Sequence, residues 1–232
     1  MRFVSNPKAA DAAETDPAEA APKAEGAESP VLSDPGRLEA FSDGVLAVAI
    51  TLLVLDLKVP NVGEGSLSQA LLQQWPAYAT YATSFLIIGV MWLNHHSLFK
   101  QIKYVDRGLL LINLLLLMFI VAVPFAASLV SEYLGEPGWN AKLAMVVYSA
   151  VSVCIAVAYA LLWGHALAHP NLLQPHVDVA KSRRSFPRFA IGIVIYLVVM
   201  AVSLINAIVA MVMILLLVIY YSFEQLPVGK RS

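Results

Sequence analysis

The sequence predicts an all-α integral membrane protein with six transmembrane helices, and three observations carry that prediction. Hydrophobic residues make up 59% of the 232 positions and charged ones only 13%, whereas soluble domains carry about 25% charge. Five apolar runs reach the roughly 20 residues that cross a bilayer, and the last is long enough for two crossings. Basic residues gather in alternate connections, the asymmetry that orients a multi-pass chain.

The elements follow in order. Residues 1–36 hold three basic and seven acidic side chains among Ala and Pro, leaving twelve basic against nine acidic in the rest. They offer no apolar run for a signal sequence and too little hydrophobic surface for a core, so a disordered acidic cytoplasmic tail is expected. Spans follow near 38–57, 71–98, 108–131 and 142–166. The run 186–223 has 38 residues; as one helix it would measure about 57 Å at 1.5 Å rise, nearly twice the hydrocarbon thickness. Two antiparallel helices meeting near Ser203 to Asn206 fit better. Residues 37–223 then form the six-helix membrane domain, and 224–232 a short cytoplasmic C-terminal tail.

Lys100, Lys103 and Arg107, then Lys181, Arg183, Arg184 and Arg188, share one side with Arg37, Lys230 and Arg231. The other side keeps Lys58 and Lys142 beside Asp56, Glu64, Glu132 and Glu136. The positive-inside rule puts both termini in the cytoplasm of a multi-pass protein of the cell inner membrane, with the 181–188 run meeting lipid headgroups. Trp75, Tyr78, Tyr81, Tyr133 and Trp139 suit an outer aromatic belt. Cys154, the single cysteine, permits no intrachain disulfide and reads as a small buried hydrophobe.

The first span is the most informative. Val48, Leu52 and Leu55 fall on one helical stripe that extends back through Phe41 and Val45. Asp43 is five residues from Val48, a rotation of about 140°, so its carboxylate points to the flank of Leu46, Ala47 and Ile50. An acid inside a membrane helix costs roughly 2.5 to 3.5 kcal/mol and calls for a partner or water. Asp43 lies six residues inside Arg37, and His95 five residues inside Lys100, so both sit within about 9 Å of the inner boundary. A bond from Arg37, Ser42 or Asp43 to Asn94, His95 or His96 is therefore geometrically available. It would act as interhelical glue, as a proton relay from Asp43 through a histidine, or as a gating network.

His165 and His169 stand at i, i+4 near the inner end of span four, a spacing that can bind a metal, but no third ligand or carboxylate in reach is evident from the sequence. No metal or cofactor is expected. The chain carries no P-loop, GxSxG, HExxH or CxxC, so no enzyme is expected, and the potassium-channel filter TVGYG is absent too, so any pore must use side chains.

Arg37, three residues, then Phe41-Ser42-Asp43 leading directly into an apolar helix resembles the signature first helix of the transmembrane protein 175 family. Trp92, Asn94, His95 and Phe99 resemble its second-helix pattern, and six spans would cover nearly all of 37–223. The resemblance implies a cation channel in which single-repeat chains assemble as homotetramers with the first helices lining a central pore. Carried over by position, Val48, Leu52 and Leu55 would form an apolar constriction, with Thr51 adding a hydroxyl. Val48 is smaller than the Ile or Leu with which such constrictions commonly begin, which predicts a wider innermost ring. Arg37, Phe41, Ser42, Asp43, Trp92, Asn94, His95 and His96 would form the packing or gating network.

The leading expectation is a potassium-preferring channel conducting passively through an apolar constriction, with monovalent cations, membrane lipid and copies of itself as partners, and no nucleic acid. Two alternatives stay open: a proton-coupled transporter using Asp43 and His95, and a haem or metal redox protein using His95, His96, His165 and His169.

Overall fold

A computed structural model describes residues 33–61 and 65–224. Glu64, Lys230 and Arg231, with most of the N-terminal tail and all but the first residue of the C-terminal one, lie outside the described residues. Within them every regular element is helical. The helices are α1 (Pro35–Leu52), α2 (Leu67–Gln73), α3 (Trp75–Phe99), α4 (Arg107–Val121), α5 (Val123–Tyr133), α6 (Trp139–Ala168), α7 (Val179–Ser185), α8 (Pro187–Ser203) and α9 (Ala207–Glu224). Leu53–Asp56 extends α1 as a 3-10 turn.

Prolines set most of the boundaries that hydropathy blurs. Pro35, Pro76, Pro124 and Pro187 each sit in a first helical turn, where the missing N–H would have had no intrahelical partner. One expected span is corrected accordingly. Residues 71–73 close a separate short helix instead of opening span two, because Pro76 starts α3 afresh. Span three, expected at 108–131, is found over Arg107–Tyr133 and is only kinked at Ala122, since Pro124 cannot donate to the Ile120 carbonyl and its ring crowds that position. Gly138, at φ 121°, holds the backbone that launches α6.

Among the described residues four helices are long and apolar enough to cross a membrane: Pro35–Asp56, Trp75–Phe99, Arg107–Tyr133 and Trp139–Ala168. Two shorter apolar stretches, Ile191–Ser203 and Ala207–Ser222, follow. The long C-terminal run does divide at Leu204–Asn206, where the Asn206 side chain accepts from the Val209 amide and starts α9. α8 and α9 then fold back against each other.

The centre of the molecule is α6, which packs on α4, α5, α8 and α9. Its interior residues Met145, Ile155 and Leu162 belong to the same buried core as Leu109, Leu116 and Ile120 of α4. Buried hydroxyls add direction to this apolar packing. Tyr148 bonds to Ser84 at 2.8 Å, the Tyr159 hydroxyl donates to the Met91 carbonyl at 2.6 Å, and Ser149 meets Ser203 at 3.3 Å. Cys154 is half-buried rather than buried. α1 lies at the edge, on α3 and α4.

At the α4 end of α6 the connections are tied together by backbone bonds. Ile102 bridges Leu173, and Val105 bridges Ser33. The Lys103 and Tyr104 amides both donate to the Leu172 carbonyl. At the opposite end Lys58 and Glu132 pair at 3.4 Å, both largely exposed, a contact worth little.

Candidate functional site

α1 has two faces of different character. Leu38, Ser42, Leu46, Ala49 and Leu53, spaced three or four apart, are buried against the rest of the chain. The opposite face is largely uncovered by the described residues: Phe41, Val48, Leu52 and Leu55 are 54%, 57%, 39% and 71% exposed. Gly44 leaves a shallow apolar depression between Phe41, Val45 and Val48, closed on one side by Val121 of α4. Thr51 is exposed on this face. Its hydroxyl donates to the Val48 carbonyl at 2.8 Å, so its oxygen lone pairs stay free.

Polar bonds strap the N-terminal turns of α1 in place. The Asn113 amide on α4 donates to the Ser42 hydroxyl at 2.9 Å, and Ser42 in turn donates to the Leu38 carbonyl. The Asn113 oxygen faces His95 Nε2 at 3.0 Å, so Nε2 carries the proton and Nδ1 is left as an acceptor with no described partner. Ser42, His95 and Asn113 are all fully buried. The His95 ring stacks on Phe99 with centroids 4.3 Å apart. One helical turn away the Trp92 indole donates to Asp43 Oδ1 at 3.0 Å, and His96 Nδ1 meets Glu39 at 2.6 Å.

The expected pairings are therefore corrected in detail. Asp43 is half-exposed, not buried, and its partner is Trp92 instead of Asn94, His95 or His96. Arg37 is exposed in the first turn and forms no ion pair with a described residue. Asn94 points elsewhere, because it lies about 200° around α3 from both Trp92 and His96. It lines a cavity of about 570 Å³ between α3, α6, α8 and α9 with Met91, Ser152, Tyr159 and Tyr196. Asp43 and His95 share no hydrogen bond; each bonds to another side chain.

The missed partners are Glu39 and Asn113. Asn113 did leave a signal: a lone amide in the apolar run Leu109 to Val121 needs a partner in a membrane. The reading that no carboxylate reaches His165 and His169 is also overturned. Asp106 caps α4, accepts from the Leu109 amide at 2.7 Å, and holds His165 Nε2 at 2.9 and 3.0 Å from its two oxygens. Partial burial pushes its pKa up, but the Leu109 amide and His165 outweigh that and hold it below the usual carboxylate value.

Comparison with known proteins places this arrangement. The family described as "Endosomal/lysosomal potassium channel TMEM175" matches residues 37–124. A potassium channel of Streptomyces collinus is 44% identical over 202 residues, covering 87% of this chain and 98% of that protein. The chain belongs to the TMEM175 family. The crystal structure of a lysosomal potassium-selective channel TMEM175 homolog from Chamaesiphon minutus superposes with a TM-score of 0.73 at 38% identity, over 82% of this chain and 97% of that one. The endosomal/lysosomal proton channel TMEM175 of Gallus gallus is 40% identical over 142 residues, 57% of this chain but only 28% of that protein. This TMEM175 protein is thus a multi-pass, all-helical membrane protein with the family's channel fold. The family is one of ion channels, not of enzymes.

Proposed function

We propose that this TMEM175 protein is a potassium-preferring cation channel, a homotetramer of six-span subunits whose α1 helices surround the pore. Both termini lie in the cytoplasm and the protein resides in the cell inner membrane. The observation that carries the reading is the unpartnered face of α1. Its opposite stripe is buried against the fold, yet Phe41, Val48, Leu52 and Leu55 are left largely exposed by the described residues. Four such faces turned toward one axis would form stacked apolar rings. The names of the bacterial relatives support potassium as the permeant ion, and no cofactor is required.

Selectivity then follows from dehydration. Apolar rings offer nothing to replace the water an ion sheds, so the cation that loses water most easily passes best, which favours potassium over sodium and excludes divalents. The free Thr51 lone pairs, between the Val48 and Leu52 rings, would supply a weak oxygen ligand there. The Ser42–Asn113–His95 and Asp43–Trp92 bonds would keep the stripe facing the axis, a positioning role. A single assay tests the reading: potassium efflux from liposomes holding the purified protein. Passive flux, larger for potassium than for sodium and independent of a proton gradient, is expected. Saturable flux that requires a proton gradient would replace the channel with a transporter.

A further inference from the structure

The end of α6 and the start of α4 carry a second cluster that the conduction pathway does not use. His165 in the last turn of α6 and His169, which caps its C-terminus, have ring centroids 4.4 Å apart. Asp106, the cap of α4, completes a group of three whose ligand atoms all lie within 4.8 Å of one another. A tetrahedral ion with bonds of roughly 2.0 to 2.2 Å needs ligand atoms about 3.3 to 3.6 Å apart, so small side-chain rotations suffice.

Two independent features show the donors to be set in place. His169 Nδ1 lies 2.9 Å from the His165 carbonyl, so Nδ1 carries the proton and Nε2 is a bare donor to an ion. Metal-ligating histidines almost always have their second nitrogen tied in this way. The His165 ring also occupies a seat that exists because residue 108 is glycine: a Cβ there would lie 2.5 Å from Cε1 and 2.8 Å from Nε2. The adjoining backbone is clamped by the Lys103 and Tyr104 amides on Leu172 and by the Gln174 amide on the Gln101 carbonyl at 2.8 Å. These bonds tie the connection that carries Asp106 to the one that follows His169. His169 is exposed and the other two are partly so, which leaves the cluster open to ions in solution.

We propose that Asp106, His165 and His169 bind a divalent transition-metal cation of the zinc type, which pins the start of α4 to the end of α6. Two imidazoles and one carboxylate suit zinc, with water in the fourth position, and do not suit calcium or magnesium, which call for sets of oxygen ligands. The Asp106–His165 contact would open enough to admit the ion between the two side chains.

The test uses the full chain in detergent, with equilibrium dialysis against zinc chloride and thermal unfolding at rising zinc. Wild type should bind a single zinc per chain and melt higher as zinc rises, with no such response to magnesium or calcium. His169→Ala removes an exposed ligand and should weaken binding about tenfold or more. Asp106→Asn keeps a cap on α4 but loses a charged ligand, and should weaken it similarly. His96→Ala and His176→Ala should leave it unchanged. A wild type that ignores zinc, binding that survives both His169→Ala and Asp106→Asn, or binding lost in His96→Ala would each overturn the assignment.

Discussion

The Asn113 side-chain nitrogen lies 2.9 Å from the Ser42 hydroxyl across 71 residues of sequence, and both groups are fully buried. Through its oxygen the same amide holds His95, so one side chain joins α1, α3 and α4. Asn113→Leu should strand both partners, at about 1 to 3 kcal/mol for each orphaned group. The check is thermal unfolding of the purified variant; a melting temperature equal to wild type would deny the network a structural role.

Asp43 should act as a hydrogen-bond acceptor more than as a charge. It is half-exposed and bonded to the Trp92 indole, so Asp43→Asn keeps an oxygen for that bond and should be nearly neutral. Asp43→Ala and Trp92→Phe should each cost about 0.5 to 1.5 kcal/mol and lower the fraction of the proposed tetramer in size-exclusion chromatography. Equal damage from Asp43→Asn and Asp43→Ala would show that the charge itself matters.

Leu52→Ala and Leu55→Asn should widen or wet the proposed rings. Single-channel recording in planar bilayers should show higher conductance and less preference for potassium over sodium, with little change in protein yield because neither side chain is buried. Unchanged conductance and selectivity in both would remove this face of α1 from the pore.

Gly108→Ala should push the His165 ring off Asp106, because the added Cβ would sit 2.5 Å from the ring. Overpacking of this kind costs about 1 to 3 kcal/mol. His165→Ala should relieve the clash, so the double variant should be more stable than the sum of the two single effects in thermal unfolding. Strict additivity would mean that the two sites do not touch.

Acid should weaken the same corner. The Asp106 pKa is lower in the folded chain than its ordinary value of 3.8, so the stability it contributes is present above that value and is lost as pH falls through the folded one. Wild-type melting temperature should drop in that window, and Asp106→Asn should flatten part of the drop. Identical acid profiles would separate Asp106 from acid stability.

Helix type, most helix positions and the amphipathic stripe of α1 were legible from the amino-acid sequence, because hydropathy and the 3.6-residue period are local properties. The break at Leu204–Asn206 was legible for a similar reason: a helix of that length overshoots the bilayer. Pro76 and Pro124 were visible too, but hydropathy averages over a single proline, so the start of α3 and the kink inside span three were missed. The sequence alone thus determined a membrane protein of the TMEM175 family, with Phe41, Val48, Leu52 and Leu55 on one face. Only the tertiary structure decided which polar groups meet. Asn113 reaches Ser42 and His95, Glu39 takes His96, Trp92 takes Asp43, and Asp106 joins His165 and His169. Each pairing depends on how helices distant in sequence are rotated against one another, and that rotation is set by packing across α1, α3, α4 and α6 together, which no single stretch of sequence records.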